Sequence, residues 1–299
     1  GLSRYAREVL TRLLYMAPEW DMQVLTADVS FARDFPGQTK LLPGWLSPGK
    51  GGTGHVLRAL WTECFLGRYL NQVGADLYYA TSAEVPRSRP GLPLIVTVHD
   101  LIPVVYKRLY WKQGPLFGRQ FQQCAELASQ IVCISEFTRR EYIQRFPQAG
   151  NKCAVVHNGG SDLIFDDQGW KQKEPTDLTD RFPYVLYVGA VRPYKNVHRI
   201  IQALSIAKDL GWHLIIAGPV HAKRHQEVMA EAERHQLREK VHIYGYVPDE
   251  YLRQLYTKAQ ALVFISEYEG FGLPALEAMQ LGVPVICSNR ASLPEVCGQ

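Results

Sequence analysis

Residues 261–279 read ALVFISEYEGFGLPALEAM, and this stretch decides the fold. It begins with a short apolar run, passes through a turn that contains two glycines, and continues as a helical segment with Pro274 in its first turn. A buried strand that leads into a helix in this way is typical of a βαβ unit. The stretch therefore predicts a parallel α/β sheet. Its polar loop lies at the carboxyl end of a strand, where such sheets bind ligands.

The same alternation extends over almost the whole chain. Nearly continuous apolar runs rich in Val and Ile predict parallel strands that are buried on both faces. The predicted strands are 22–27, 76–81, 94–99, 131–135, 154–158, 184–189, 213–218, 241–245, 261–266 and 284–288. The predicted helices are 4–17, 56–72, 114–128, 137–146, 196–210, 221–236, 249–258 and 273–281. We therefore expect an α/β protein with doubly wound sheets.

One polar segment interrupts this rhythm. Residues 166–183, DDQGWKQKEPTDLTDRFP, have the charge, proline and glycine content of an interdomain linker. The chain thus divides into an N-terminal domain of residues 1–165 and a C-terminal domain of residues 184–299. A length of 299 residues is ample for two domains.

Composition narrows the functional classes. The formal charge of +4 is mild, so it permits anionic substrates or an anionic membrane surface but requires neither, and we expect no nucleic-acid partner. No apolar run approaches the roughly eighteen residues that span a bilayer. The six cysteines form no CxxC pair, and several lie in apolar runs. We interpret them as reduced thiols of a cytosolic protein.

Two carboxylates flank the glycine turn of the deciding stretch. Glu269 lies in the loop and Glu277 about one turn into the following helix. Exposed N–H groups at a helix N-terminus bind anions, so two acids beside them suit the hydroxyls of a sugar and of a ribose that flank a diphosphate. The alternative is a solvated loop acid and a helix-surface acid. The crowding of both acids with glycines and a proline favours a functional site.

A second group of polar residues follows the strand at 184–189. YVGAVRPYKN places Arg192, Lys195 and Asn196 between that strand and the next helix. Cations at this position suit a diphosphate leaving group. Ordinary surface charge is the alternative, and it is stronger for Arg192 than for Lys195.

Other strand ends carry weaker signals. His99 ends the strand at 94–99, where it serves either a ligand or a structural hydrogen bond. Asp100 is interpreted as structural, Ser135 as a helix cap, and Glu136 stays open. GKGGTG at 49–54 lacks the GK[ST] ending of a phosphate loop and no strand precedes it, so we predict a flexible surface loop.

The motif E-G-F-G-L-P-x-x-E-A resembles the E-x7-E signature of retaining GT-B glycosyltransferases of family 4, among them bacterial polysaccharide mannosyltransferases. The resemblance covers nearly the whole chain, in the family's order. Its further landmarks are GLSRY, VTVHD, VCISEFTRREY, VVHNGGS, YVGAVRPYKN, IIAGP and VHIYGYVPDEYL. It implies two Rossmann-like domains that face a cleft, with a nucleotide sugar such as GDP-mannose or UDP-glucose held by the second domain and a hydroxyl acceptor by the first.

The resemblance also implies residue roles. Glu277 would bind the ribose hydroxyls, and Glu269 and His99 the donor sugar. The backbone of Phe271, Gly272 and Leu273 would bind sugar or diphosphate. The remaining positions that it implies for donor binding are Gly1, Gly189, Asn196, Gly245, Tyr246 and Val247. The chain departs from the family where many members have arginine after the strand glycine, because it has Ala190 there, and Arg192 would restore the charge from a shifted position.

We therefore expect a retaining hexosyltransferase in cell-surface polysaccharide synthesis. We also expect that it needs no metal and no cofactor, since the sequence contains no DxD pair that could bind a metal. An epimerase or phosphorylase on the same fold and a non-catalytic nucleotide-sugar-binding module stay open. A dehydrogenase is disfavoured because GxGxxG follows no strand. YKRLYWK, residues 106–112, suits either an anionic membrane or lipid-linked acceptor, or a solvated loop. The resemblance further implies a longer chain of about 370–400 residues, because relatives extend beyond both ends.

Overall fold

A computed structural model describes residues 2–47, 51–87, 91–160 and 181–298. The chain forms two compact units, residues 1–157 and 158–299. Most of the predicted linker and Gly1 lie outside the described residues.

The strands agree in position with those expected from the apolar runs. They are β1 (Val24–Thr26), β2 (Thr39–Leu41), β3 (Tyr78–Ala80), β4 (Leu94–Val98), β5 (Gln130–Cys133), β6 (Cys153–Val155), β7 (Tyr184–Val188), β8 (His213–Ala217), β9 (Val241–Gly245), β10 (Ala261–Phe264) and β11 (Val285–Cys287). Each of the predicted strands is present, mostly one or two residues shorter. Strand β2 was not predicted, because its residues are half-buried or exposed and carry no apolar run.

The helices alternate with these strands. They are α1 (Leu2–Met16), α2 (Val29–Ala32), α3 (Gly51–Trp61), α4 (Gly67–Gln72), α5 (Ile102–Val105), α6 (Gly114–Leu127), α7 (Glu136–Arg145), α8 (Val197–Ile206), α9 (Ala222–Arg234), α10 (Asp249–Thr257), α11 (Leu273–Gln280) and α12 (Leu293–Cys297). A π-helical turn, Thr62–Leu66, connects α3 to α4.

The second unit is built on one five-stranded parallel sheet in the order β11-β10-β7-β8-β9. Every residue of the central strand β7 is buried, since one core cluster packs on each face of the sheet. One cluster includes residues of α10 and α11, and the other includes residues of α8 and α9. This is the doubly wound arrangement that the apolar runs predict.

The first unit differs in detail from a single doubly wound sheet. Strands β3-β4-β5-β6 form a parallel four-stranded sheet, whereas β1 pairs only with β2 in the part of the chain that the structure describes. Helix α1 adjoins both parts: Ala6 packs in the small core with Val24, and the Tyr5 hydroxyl lies 2.9 Å from the Tyr79 hydroxyl on β3.

The glycine-rich stretch at 49–54 corrects a prediction. We expected a flexible surface loop, but α3 already begins at Gly51. Each glycine in a helix costs roughly 1 kcal/mol relative to alanine. The residues that follow, 56–61 (VLRALW), include good helix formers, and the helix continues through the π-helical turn into α4, so cooperative propagation outweighs that local cost.

A pair of histidines lies at the amino ends of two neighbouring strands, β8 and β9. His213 Nδ1 lies 2.9 Å from His242 Nε2, and Phe182 stacks on the His213 ring at 3.6 Å between centroids. Burial, together with the neighbouring His242, lowers the pKa of His213 from 6.5 to about 4, and burial also lowers the pKa of His242.

We expect the second unit to lose stability as the pH falls from about 6.5 to about 4. The lowered pKa means that the unfolded chain binds the proton more readily, so the stabilisation is complete above 6.5 and is lost on acidification. Solvent screening of the half-buried ring limits the loss to about 1–2 kcal/mol. Urea unfolding at pH 7 and pH 4.5 measures it. His213→Phe should reduce this pH dependence, whereas His225→Gln on the exposed face of α9 should not. An equal slope in all three proteins would refute the assignment.

Candidate functional site

The loop between β10 and α11 has a backbone that only glycine suits. Gly272 precedes α11 with a φ of +115°, and a Cβ at this position would come within 2.7 Å of the Leu293 side chain. Helix α11 then begins at Leu273 with Pro274 in its first turn, as the sequence predicts. The glycine turn therefore sets how the loop that carries Glu269 enters the helix that carries Glu277.

Glu269 and Lys195, predicted independently from two separate motifs, form an ion pair. Lys195 Nζ donates to Glu269 Oε1, and both side chains are largely buried, with exposed fractions of 14% and 10%. The ammonium also lies 5.4 Å from the centroid of the Phe264 ring. Electrostatic interactions strengthen when water is excluded, so this pair is positioned to act on a charged ligand.

A second contact joins the loops that follow β7 and β10. Asn196 has a left-handed φ of +57° and its Nδ2 donates to the Ile265 carbonyl at 3.1 Å. The Glu267 amide donates to the Tyr194 carbonyl at 2.8 Å. Asn196 thus holds the start of α8 against the β10 loop, and donor binding by its side chain stays a prediction.

Glu277 is not a solvated helix-surface acid. Its side chain is buried, with an exposed fraction of 3% for the residue, and the Tyr256 hydroxyl on α10 donates to its Oε2 at 2.9 Å. The alternative interpretation of Glu277 from the sequence is therefore wrong. The hydrogen bond from Tyr256 offsets part of the cost of burying this carboxylate, and ribose binding by Glu277 stays a prediction.

Three glycines form a chain of close contacts at the carboxyl ends of β7, β8 and β9. Gly189 N–H donates to the Ala217 carbonyl at 2.8 Å, and Gly218 N–H donates to the Gly245 carbonyl at 2.6 Å. A Cβ on Gly218 would come within 2.4 Å of the Gly189 carbonyl oxygen. Half-buried backbone without side chains therefore lies at the edge where open α/β sheets bind ligands.

The remaining predicted positions of the second unit are placed as follows. Tyr246 is 81% exposed just after β9, and Val247 packs against the core. Phe271 is buried, and its carbonyl accepts a hydrogen bond from Ser292. Arg192 lines a separate cavity of about 490 Å³ beside α8 and α9, together with Arg224 and Glu227 among others. The structure pairs Glu269 with Lys195 and shows no such contact for Arg192 within the described residues.

His99 lies in the first unit, directly after β4. Its Nε2–H donates to the Thr81 carbonyl at 2.8 Å, and the Tyr5 ring packs edge-on at 4.6 Å between centroids. Burial lowers the pKa of His99, so the ring is neutral at pH 7 with its Nδ1 left as the acceptor. Around it, the hydroxyls of Tyr5, Tyr79 and Thr97 lie 2.9–3.2 Å from one another.

Ser135 and Asp100, which lie near His99 in the first unit, have the structural roles that the sequence predicts. Ser135 caps α7, because its hydroxyl oxygen accepts the Thr138 amide at 3.0 Å. Asp100 accepts the Ile102 amide at 2.8 Å. Glu136, which the sequence left open, forms two hydrogen bonds with Arg139 at 2.7 and 2.8 Å, and these bonds lower its pKa.

Ser292 is a site residue that the sequence does not predict. This residue is fully buried, and its Oγ lies 2.9 Å from the Glu269 carbonyl and 2.8 Å from the Phe271 carbonyl. It thereby holds the loop that presents Glu269. A single serine 23 residues away in sequence carries no periodicity or spacing signal, so only the packing of α12 identifies it.

Ser292→Ala should lower the free energy of unfolding by about 1–3 kcal/mol, because the two buried carbonyls that share the single Ser292 hydroxyl proton lose their donor. Urea denaturation at constant pH measures the change. Ser205→Ala is the matched control, since the Ser205 hydroxyl also donates to a backbone carbonyl, at 2.7 Å, but in an exposed setting. Equal losses in the two variants would show that the Ser292 contacts add nothing specific.

Within the described ranges, no three histidine, cysteine or carboxylate side chains are arranged to hold a metal ion. Likewise, none of the helices described here has both the length and the apolar character that crossing a bilayer requires.

Comparison with known proteins identifies what this arrangement resembles. The family model described as Glycosyltransferase Family 4 matches residues 1–160, and the model described as Glycosyl transferases group 1 matches residues 168–299. O-antigen chain mannosyltransferase B of Escherichia coli is 33% identical over 218 residues, which are 68% of this chain and 55% of that protein. The chain therefore spans about half the length of this curated relative.

Two solved structures share the fold. Anabaena HepE, in complex with UDP and glucose, has a TM-score of 0.69 at 18% identity and covers 99% of this chain and 79% of its own. WaaG, a glycosyltransferase involved in lipopolysaccharide biosynthesis, has a TM-score of 0.71 at 17% identity, with coverage of 99% and 80%. These likenesses confirm the predicted GT-B class with two Rossmann-like units.

Proposed function

The chain belongs to Glycosyltransferase Family 4, and from that premise we propose that it moves a hexosyl group from a nucleoside-diphosphate sugar to a hydroxyl acceptor, with retention at the anomeric carbon. The observation that carries the proposal is the largely buried Lys195–Glu269 ion pair, which lies next to helix α11. Glu277, on that helix, is buried as well.

The proposed roles follow from charge and position. Glu277 binds the ribose hydroxyls and Glu269 the donor sugar, while the backbone of Phe271, Gly272 and Leu273 faces sugar or diphosphate. The glycine-lined edge at Gly189 and Gly245 suits a nucleotide because its lack of side chains permits close approach. Tyr246 and Val247 would supply backbone contacts to the base.

Cleavage of the glycosyl–phosphate bond leaves negative charge on the departing phosphate. Lys195 is close enough to Glu269 to act where sugar and diphosphate meet, and the N-terminus of α11 adds a favourable dipole. In this proposal the leaving phosphate itself helps to deprotonate the acceptor on the same face of the sugar, so neither a metal nor a cofactor is required. The neutral ring of His99 would accept a hydrogen bond from a donor-sugar hydroxyl at Nδ1, since its Nε2–H is held by the Thr81 carbonyl, and it would add no charge.

We propose a mannosyl donor, GDP-mannose, in synthesis of cell-surface polysaccharide. The support is the relative named O-antigen chain mannosyltransferase B. UDP-glucose is the second donor to test, because Anabaena HepE binds UDP and glucose.

A lipid-linked saccharide is the proposed acceptor, with the protein placed in the cytoplasm at the membrane face. The supporting surface is the segment 106–112, where Trp111 is 68% exposed and Lys112 Nζ lies 5.1 Å from the centroid of its ring. Exposed aromatic and basic side chains together suit a membrane interface.

The test combines binding and product analysis. A panel of nucleotide sugars is screened by thermal shift, where a donor at 100 times its dissociation constant should stabilise the protein by about 2.7 kcal/mol. The preferred donor is then incubated with and without acceptor in EDTA, and proton NMR assigns the anomer of the product. Transfer with retention in EDTA is expected. An inverted product or strict dependence on Mg²⁺ would refute the mechanism. Isomerisation of the donor in the absence of acceptor would indicate an epimerase. Binding of the donor without formation of any product would indicate a non-catalytic module.

A further inference from the structure

A cavity of about 450 Å³ lies beside the donor-site candidates, at the carboxyl ends of β10 and β11 and the start of α8. Its volume is in the range of small-molecule sites. Its polar lining consists of Asn196, Arg199, Ser266, Glu267, Ser288 and Arg290. Apart from Asn196, none of these residues has a role in the proposed transfer reaction, and Lys195, Glu269 and Glu277 do not line this cavity.

Ser266 is the unusual member of the lining. The residue is fully buried, and its hydroxyl has no hydrogen-bond partner among the described residues. The neighbouring Ser288 does not satisfy it, because the Ser288 hydroxyl donates to the Ser266 backbone carbonyl instead. A buried hydroxyl without a partner costs free energy, so its presence in a cavity wall indicates a group that a ligand is to satisfy.

The charges of the lining point to the sign of that ligand. Arg199 and Arg290 are exposed, and neither guanidinium forms an ion pair within the described ranges. Glu267 is the one acidic residue of the lining; Asn196 Nδ2 lies 3.5 Å from its Oε1 and also donates to the Ile265 carbonyl. Two free guanidinium groups against one carboxylate favour an anion, since arginine binds phosphate and carboxylate in a bidentate manner.

We propose that this cavity binds an anionic monosaccharide, a hexose that carries one phosphate or carboxylate group. The two guanidinium groups bind the anion. Glu267 accepts a hydrogen bond from one sugar hydroxyl, and Ser266 donates a hydrogen bond to another. A simple anion would leave the carboxylate of Glu267 facing it without compensation. The combination of acid, hydroxyl and arginines therefore fits a hydroxyl-rich ligand better than a free phosphate ion.

Direct binding tests the site without requiring turnover. Mannose 6-phosphate, glucuronate, neutral mannose and inorganic phosphate are titrated into the protein, with chemical shifts or heat as the readout. We expect the two anionic sugars to bind at least tenfold more tightly than mannose or phosphate. The double variant Arg199→Ala/Arg290→Ala should weaken anionic-sugar binding at least tenfold. The control Arg238→Ala, which removes an exposed arginine in the 3-10 turn before β9, should not.

Ser266→Ala separates a binding role from a structural one. Because the hydroxyl has no hydrogen-bond partner among the described residues, its removal should leave the melting temperature unchanged or higher and still weaken binding of the anionic sugar. A clear fall in melting temperature with unchanged binding would contradict the proposal. So would the absence of saturable binding to the wild-type protein, binding retained in the double arginine variant, or equal affinity for phosphate alone.

The source of the ligand is distinguished by kinetics, and only this step rests on the proposed transfer reaction. If the sugar belongs to the acceptor, the double variant raises KM for an acceptor with an anionic residue but not for a neutral one, and leaves donor KM unchanged. If it is a free metabolite, acceptor KM is unchanged and added mannose 6-phosphate alters the rate of the wild type alone. Loss of the proposed transferase activity in all proteins would leave the binding data intact, so the two hypotheses fail separately.

Discussion

Lys195→Ala is expected to lower kcat by about 10²–10³-fold, the usual cost of removing one group that stabilises developing negative charge. In this protein the variant has a second consequence, because the largely buried Glu269 side chain loses its ion-pair partner. The remaining carboxylate would then repel the diphosphate. Steady-state kinetics with the preferred donor measures the effect.

Two further variants separate catalysis from folding. Lys208→Ala removes an exposed lysine of the same unit and should leave kcat unchanged. Glu269→Gln keeps the shape of the side chain and an oxygen that can accept from Lys195 but removes the paired charge, so it should lower kcat by more than its loss of folding stability explains. Should Lys195→Ala retain full turnover, or should its activity fall only in proportion to lost folded protein, the leaving-group role would be refuted.

Glu277→Gln is expected to weaken donor binding by about 10- to 150-fold, which corresponds to the 1.5–3 kcal/mol of a hydrogen bond to a charged group. The amide keeps an oxygen that can accept from the Tyr256 hydroxyl, so folding should change little. Isothermal titration with the nucleotide sugar gives the affinity. A donor that lacks the ribose 2′-hydroxyl should lose affinity with the wild type and lose less with the variant.

Tyr256→Phe is the matched control for Glu277. It removes the buried hydroxyl that donates to Glu277 Oε2 but keeps the carboxylate. We expect it to lower the free energy of unfolding more than it lowers donor affinity. If both variants reduced stability and affinity in the same ratio, Glu277 would be a structural residue of the α10–α11 contact and would have no part in the donor site.

The sequence by itself determined every described strand except β2, the starts of most of the longer helices and the type of sheet. A strand that is buried on both faces needs apolar residues at every position. A continuous apolar run such as 184–188 therefore predicts such a strand directly. Pro274 correctly predicted the first turn of α11, because the fixed φ of proline suits that position. Local chemistry of this kind acts over a few residues and can be deduced from them. Strand β2 was missed because it carries no such local pattern.

Only the tertiary structure decided which of the candidate residues meet. Lys195 and Glu269 are 74 residues apart in sequence, and their pairing depends on β7 and β10 being neighbours in the sheet. Helix packing buried Glu277 against Tyr256 and placed Ser292 under the Glu269 loop. The cavity around Ser266 likewise combines the ends of two strands with the start of a helix. Contacts of this kind arise because parallel strands bring loops that are distant in sequence to one edge of the sheet. The direction of each side chain at that edge depends on packing, which cannot be deduced from the spacing of residues in the sequence.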